Sequence, residues 1–157
     1  MKVIATAGTE KGKALAEKYG AHLVLDHYDP EHFHKAMEFT ENKGVDVILE
    51  MLANVNLGGD IKILAKRGRV VVIGSRGKVE ITPRFLMGKD ADIRGMTLMN
   101  ADPQEMEAIQ AAIAEGIKKG ELNPVVGLEL PLEQAPKAHH LVIEEKAYGK
   151  IILSLGS

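Results

Sequence analysis

The chemistry open to this chain is limited first by which reactive side chains it carries and how they are spaced. It has no cysteine, which removes disulfides, thiol nucleophiles and cysteine-bound zinc. His27, His32 and His34 lie close together in sequence. Residues two apart diverge on a helix, so His32 and His34 read as surface histidines and not as a metal pair. His139 and His140 read as one half-buried packing residue and one exposed neighbour. Ser75 lacks the Gly-x-Ser-x-Gly turn that would present a nucleophile, and no base accompanies it. Glu50 and Asp46 fall in a strand-like run, where Glu50 reads as a local hydrogen-bonding group more than an acid. Asn54 and Asn56 read as caps of the helix that follows. Lys11 and Lys13, at the start of a helix, read on their own as solvated charge. Dinucleotide chemistry would need a Gly-x-Gly-x-x-Gly turn, whose glycines let the backbone approach a pyrophosphate at a helix N-terminus. Gly8 with Gly12, Gly58-Gly59 and Gly74 with Gly77 all have other spacings, and no Gly-Lys-Ser/Thr occurs.

Two apolar runs must position whatever site there is. Residues 45–51 are entered through Gly44 and left through Ala53-Asn54; residues 69–73 end at Gly74-Ser75. Such runs, separated by a helical pattern, read as buried parallel strands. Ligands of these sheets sit outside the carboxyl ends of the strands, which directs attention to residues 51–56 and 74–77. Upstream, residues 2–7 and 23–26 read as strands around a helix over 10–19 that Gly20 stops. Asp29-Pro30 reads as the cap and first position of the next helix. A further helix is expected over 57–66, facing the core with Leu57, Ile61, Leu64 and Ala65. The alternation of strand and helix predicts an α/β fold with a mostly parallel sheet in three layers. Further on, weak extension is expected at 79–82, a helical turn at 83–89 and a strand over 92–99. Asp102-Pro103 with Glu105 is a capping box for a helix to about residue 119, with Met106, Ile109, Ile113 and Ile117 turned inward. Strands at 125–130 and 150–155 flank a last helix over 131–145. Methionines are expected mostly as gap-fillers in the core.

Bulk properties exclude several classes. The chain has 157 residues and a net charge of −2, so no basic footprint suggests nucleic acid or an anionic membrane. No apolar run reaches bilayer-spanning length, and early charges at Glu10, Lys11 and Lys13 speak against a signal peptide. One domain over residues 1–157 and a cytoplasmic location are the expectations.

Several motifs then resemble one family. They are Glu50-Met51-Leu52-Ala53-Asn54-Val55-Asn56-Leu57, the run from Gly68 to Gly77, and Ile81-Thr82-Pro83-Arg84. Ala5-Thr6-Ala7-Gly8-Thr9, Asn123-Pro124-Val125-Val126-Gly127, Pro131-Leu132 and Ala138-His139 add to them. Together they resemble the quinone oxidoreductases of the zeta-crystallin type, in the medium-chain dehydrogenase/reductase superfamily. Such proteins join a GroES-like catalytic domain to a Rossmann domain that binds NADPH. The resemblance implies that this chain is the C-terminal half, Rossmann-like but lacking the first βα unit, with residues 124–155 equivalent to the segment that returns to the catalytic domain.

The resemblance also implies the surviving cofactor residues. The second Rossmann strand ends at Ala7-Gly8-Thr9 without an acid and has Lys11 and Lys13 nearby, an NADPH-preferring pattern, with His27 on the adenine side. Met51, Leu52, Ala53 and Asn54 match the loop under the adenosine and nicotinamide ribose. Gly74, Ser75 and Arg76 match the loop near the nicotinamide. No catalytic residue and no metal ligand is assigned. The expected function is a truncated or engineered cofactor-binding domain of an NADPH:quinone oxidoreductase, inactive alone and weak or lost in NADP binding. A quinone-like substrate belongs only to the intact family. The alternatives are a rebuilt α/β scaffold without ligand, or a self-associating module. In the strand order 3-2-1-4-5-6 the missing strand lies between residues 2–7 and 45–51. Two candidates to fill its place are residues 150–155 and a strand from a second copy, making a homo-oligomer through an unpaired sheet edge.

Overall fold

Short apolar runs alternating with helices give parallel βαβ steps, each confined to one small sheet. The computed structural model describes residues 1–145 and 148–155, in two units, Met1–Asn100 and Ala101–Ser157. Every strand pairing among the described residues is parallel, as the α/β reading requires. No helix among them is long and apolar enough to cross a membrane.

In the first unit, β1 (Ile4–Thr6), α1 (Glu10–Lys18) and β2 (Leu23–Leu25) form the first step. Ile4 lies opposite Leu23, and Thr6 opposite Leu25. Thr9 caps α1, its Oγ1 accepting the Gly12 N–H at 3.1 Å. At the other end the Gly20 N–H donates to Glu17 O and the Ala21 N–H to Ala16 O, with Gly20 at φ 98°. This is the paired closure that a left-handed glycine makes possible. The next helix, α2 (His32–Phe39), starts later than the Asp29-Pro30 signal suggests. Asp29 instead spends its side chain on a turn: Oδ1 accepts the Glu31 N–H at 2.9 Å, and its carbonyl accepts from the His32 backbone N–H and from His32 Nδ1. Such local bonds compete with helix entry.

A second sheet follows, with β3 (Val45–Glu50), α3 (Ala53–Ile63), β4 (Leu64–Val72), α4 (Arg84–Met87) and β5 (Asp92–Gly95), in strand order β3-β4-β5. The helix expected over 57–66 is shifted: it begins at Ala53 and ends at Ile63, and Leu64 and Ala65 are buried as strand residues. Leu64 turns extended at φ −59°, ψ 144° and pairs with Val45. A short apolar run fits either period, and here burial against β3 decides. The register then slips, so that Val47 meets Arg69. Arg67 at φ 61° and the close-packed Gly68 make the bulge. Ala53, Leu57, Ile61, Leu64 and Val70 form the buried core, with Ile48, Val72, Ile81, Leu86, Ala91 and Ile93 against it. Residues 79–82 form no strand, and the strand expected over 92–99 ends at Gly95, with a 3₁₀ turn at Leu98–Asn100.

The expected single sheet is not formed. Among the described residues β1 pairs only with β2, and β3 only with β4. What joins the first step to the second sheet is helix packing: Phe33 of α2 lies so close to Gly59 of α3 that a Cβ there would come 2.3 Å from Phe33 Cε2. The open side leaves Val47 and Leu49 of β3 exposed.

In the second unit, α5 (Pro103–Lys118) carries the expected capping box. Asp102 Oδ1 accepts the Glu105 N–H at 2.8 Å, and Glu105 Oε2 accepts the Asp102 N–H at 3.0 Å. Then come β6 (Val126–Pro131), a 3₁₀ turn at Leu132–Gln134, α6 (Ala135–Glu144) and β7 (Lys150–Ser154). The idea that residues 150–155 fill the gap beside β3 is corrected here: β7 pairs with β6, Leu128 opposite Ile151. A strand needs a neighbour in register, and β6 is reached through one local βαβ step. Two side-chain expectations also fail. Ile113 and Ile117 of α5 are exposed, as are Met1, Met51, Met87, Met96 and Met99, so most methionines fill no core gap.

Gly44 tests the packing of the second sheet. It sits at φ 88°, and a Cβ would lie 2.6 Å from Ala65 N and 2.7 Å from Leu64 O. Gly44→Ala is expected to lose about 2–3 kcal/mol through backbone strain and collision. Gly20→Ala, left-handed but in open space, should lose only about 1 kcal/mol. Urea unfolding of the two variants measures the difference.

Candidate functional site

The residues singled out from sequence fall into two clusters, each at the carboxyl end of a parallel sheet. The first follows β1 and β2. Thr9 spends its hydroxyl on capping α1. Lys11 is exposed on the first turn, and Lys13 is half-buried, with Nζ 2.5 Å from Glu10 Oε1 and 3.5 Å from Asp26 Oδ2. The hydrogen bond to Glu10, opposed by partial burial and aided by the charges of Glu10 and Asp26, raises the Lys13 pKa. Asp26 is held low, first by the Tyr28 N–H donating to Oδ1 at 2.9 Å and then by Lys13. The His27 and Tyr28 rings meet edge-on, 4.4 Å apart, and crowd Gly8, where a Cβ would lie 2.5 Å from both. A side chain at that position would have to push these exposed rings aside. Thr9, Lys13 and His27 are thus gathered around one turn.

The second cluster joins the ends of β3 and β4. The Glu50 carbonyl accepts the Ile73 N–H at 2.8 Å and the Gly74 N–H at 3.2 Å. The Ala53 N–H donates to Gly74 O at 2.9 Å. Asn54 Oδ1 accepts the Arg76 N–H at 2.9 Å, and Ser75 Oγ donates to Gly77 O at 3.2 Å. A Cβ on Gly74 would sit 2.3 Å from Met51 O. Ala53 is therefore bonded to Gly74 and Asn54 to Arg76, with Met51 packed on Gly74, while Leu52 and Ser75 lie beside them. Ala53 is buried, while Met51, Leu52, Ser75 and Arg76 face solvent. Asn54 and Asn56 do not cap α3, whose N-cap Leu52 has no side-chain cap bond. Asn54 instead grips the loop, and Asn56 Nδ2 donates to Glu50 Oε1 at 3.2 Å.

That last bond points to a pair the sequence reading passed over. Glu50 and Asp60 are both buried, 6% and 4% exposed. Glu50 reads correctly as a hydrogen-bonding group: Oε1 also accepts the Leu52 N–H. Asp60 hydrogen-bonds to Glu50, and burial, then the Glu50 charge and that bond, push its pKa up to about 8. Its Oδ2 is buried without a partner. A sequence signal was present, since Asp60 falls on the stripe Ala53, Leu57, Ile61 that faces the core. His32, His34, His139 and His140 take no part in either cluster, unlike His27. His32 donates to the Asp29 carbonyl, and His34 lies 3.7 Å from Glu38. His139, expected half-buried, is exposed, as is His140, which lies 3.0 Å from Glu144 Oε1.

With this geometry in view, the family profile described as zinc-binding dehydrogenase matches residues 19–153. The chain belongs to that family. It is 42% identical to the human quinone oxidoreductase over 156 residues, 99% of this chain and 47% of that protein. To the rat quinone oxidoreductase it is 44% identical, with the same coverage. The chain thus spans about half the length of the curated relatives it matches. Among solved structures, an NAD-dependent alcohol dehydrogenase superposes with a TM-score of 0.87 at 29% identity, covering 99% of this chain and 44% of that one. A mycobacterial quinone oxidoreductase superposes at 0.83 and 24% identity, covering 97% and 48%. The resemblance to medium-chain dehydrogenases and the Rossmann-like fold class both stand. The zinc of the family's description does not fit these residues: there is no cysteine and, among the described residues, no group of three or more His, Asp or Glu that could hold a metal ion.

Asp60 gives the site a pH dependence whose sign follows from its raised pKa. The folded chain binds this proton more tightly than the unfolded chain, where the group titrates near its ordinary 3.8. Its stabilising contribution is whole below that value and declines as pH rises toward about 8. The slope in that window is at most about 1.4 kcal/mol per pH unit. In Asp60→Asn this decline is absent, so urea midpoints at pH 5 and pH 8 should shift in the variant's favour as pH rises. Equal pH dependence of variant and parent would contradict the assignment.

Proposed function

We propose that this chain is the NADPH-binding portion of a quinone oxidoreductase. The observation that carries the reading is the bonded surface of residues 51–54 and 74–76 at the carboxyl ends of adjacent parallel strands, where α/β sheets bind ligands. The first cluster, at Thr9 and Lys13, supports the choice of NADPH over NADH. β1 ends without an acid for the ribose hydroxyls, and Lys13 stands beside the Thr9 cap to meet a 2′-phosphate. Its present partners, Glu10 and Asp26, have to yield it. A mycobacterial protein of the same fold has been solved in complex with NADPH, and relatives at 42% and 44% identity are quinone oxidoreductases.

In this reading Thr9, Lys11, Lys13 and His27 hold the adenosine phosphate end. Met51, Leu52, Ala53 and Asn54 lie under the ribose, and Gly74, Ser75 and Arg76 lie near the nicotinamide. When bound, NADPH supplies the hydride; the residues here bind and orient it. No glycine-rich turn for a pyrophosphate occurs among residues 1–157, so weak affinity is the expectation for these residues taken alone. NADPH fluorescence titration tests the reading. Saturable binding is expected, with NADH weaker by about tenfold and Lys13→Ala removing most of that preference. No saturable binding at millimolar NADPH would sink it.

A second reading concerns assembly. Unpaired edges on β1 and β3, and exposed Val47 and Leu49, favour pairing with another copy of the chain. Light scattering should then give a mass near twice 17.0 kDa. A monomer at high protein concentration would exclude it.

A further inference from the structure

We propose that Asp60 is a positioning residue: by keeping a proton between itself and Glu50, it holds the 51–54 turn in the shape that faces the cofactor, and it lets that turn loosen when the proton leaves. The link to the cofactor rests on the reading above; the latch itself does not.

The geometry works from Glu50 outward. Glu50 is the last residue of β3, and its backbone carbonyl is committed to Ile73 and Gly74. Its carboxylate accepts the Leu52 N–H and the Asn56 amide, so one side chain fixes both the turn and the first coil of α3. Asp60 lies one helical turn beyond Asn56, on the same face of α3. It is buried as Glu50 is, the Glu50 carboxyl is the charge that acts on it, and its Oδ2 finds no partner. Two buried carboxyls in contact stay together only if one is protonated; two anions there repel. The protonated acid then donates to Glu50, and Glu50 keeps its remaining acceptor capacity for Leu52 and Asn56.

The cations and other titratable groups around this pair are engaged or exposed. On α2, Lys35 pairs with Asp29, His32 binds the Asp29 carbonyl and His34 lies by Glu38. On β3, Asp46 is exposed. On β4, Arg69 pairs with Asp92, and Lys66 and Arg67 are exposed. Arg84 of α4 is exposed, Lys62 of α3 lies over the Phe85 ring, and Lys89 donates to the Lys62 carbonyl. The charge that acts on Asp60 is that of Glu50. Loss of the proton therefore places a second negative charge beside the first, with burial around it, and the easiest relief is for the Glu50 carboxylate to swing away from Leu52. Residues 51–54 then lose the bond that shapes them.

The test uses the 157-residue chain and its Asp60→Asn variant, which keeps a donor toward Glu50 but cannot ionise. Carboxyl-carbon NMR should show Asp60 titrating near pH 8, and the Leu52 amide resonance should move with the same midpoint. In Asp60→Asn the Leu52 resonance should stay fixed over that range. NADPH affinity should fall roughly fivefold from pH 7 to pH 9 in the parent and stay level in the variant. The latch is overturned if Asp60 does not titrate between pH 6 and 9.5, if the Leu52 amide does not follow it, or if the variant keeps the Leu52 titration. Should the carboxyl and amide titrate together while NADPH binds at no pH, the latch stands and the cofactor reading fails. A pH-independent NADPH affinity with a titrating Asp60 would remove the positioning role.

Discussion

The turn into α3 and the loop after β4 are both held at Glu50. Its backbone carbonyl ties the end of β3 to the loop after β4, and its side chain ties the same point to the start of α3. A strand end, a loop and a helix entry are thereby held at one residue. Without the backbone bonds, residues 74–76 would lose their purchase on the turn. Without the side-chain bonds, the Leu52 amide at the unwound entry of α3 would be left unpaired, at the cost that any half-buried donor incurs. The placement also explains why an acid can be buried here: its charge is spread over donors from the turn and from α3.

The surface built on this junction is rigid for steric reasons as well as for hydrogen bonding. Gly74 approaches the Met51 carbonyl more closely than any residue with a Cβ could. Asn54 then reaches across to the Arg76 amide. Beneath it, Ala53, Leu57, Ile61 and Leu64 place α3 on the sheet, so that the turn rests on the best-buried part of the molecule. Loops that present a ligand surface generally rely on such a scaffold. The cluster at Thr9 and Lys13 is of another kind: α1 buries no residue, and its order comes from capping and ion pairs at the surface, which are individually weak.

Strand and helix types were legible in the sequence wherever a local signal had no competitor. Gly20 and the Asp102-Pro103 capping box acted as their chemistry dictates, and the parallel pairing followed from strand–helix alternation. Errors arose where two local readings were equally good. Residues 61–65 suit a helix face or a buried strand, and only the pairing of Leu64 with Val45 separates them. Asp29 can cap a helix or close a turn, and it closes a turn. The second cluster was legible from the ends of two strand-like runs, which pointed to residues 51–56 and 74–77, and the resemblance at residues 50–57 and 68–77 assigned its individual residues. Asp60 was passed over because an acid in a helical stripe looks like a solvated residue until the stripe's burial is known. That Lys13 is shared between Glu10 and Asp26 depends on β2 lying beside α1, a contact no local pattern encodes.

The separation of the sheets has a physical consequence for the site. A continuous sheet would couple the two clusters through backbone hydrogen bonds, the stiffest connection a parallel fold offers. Here β1 and β3 share no ladder, and the connection passes through Phe33 packed on Gly59. A ring on a glycine has shape specificity but no directional bonds, so it constrains distance better than orientation. A ligand reaching from Lys13 to Arg76 would have to supply part of that orientation itself. Any ordering such a ligand had to impose would be set against its affinity. The same cost does not fall on the turn at Glu50, which is fixed before any ligand arrives.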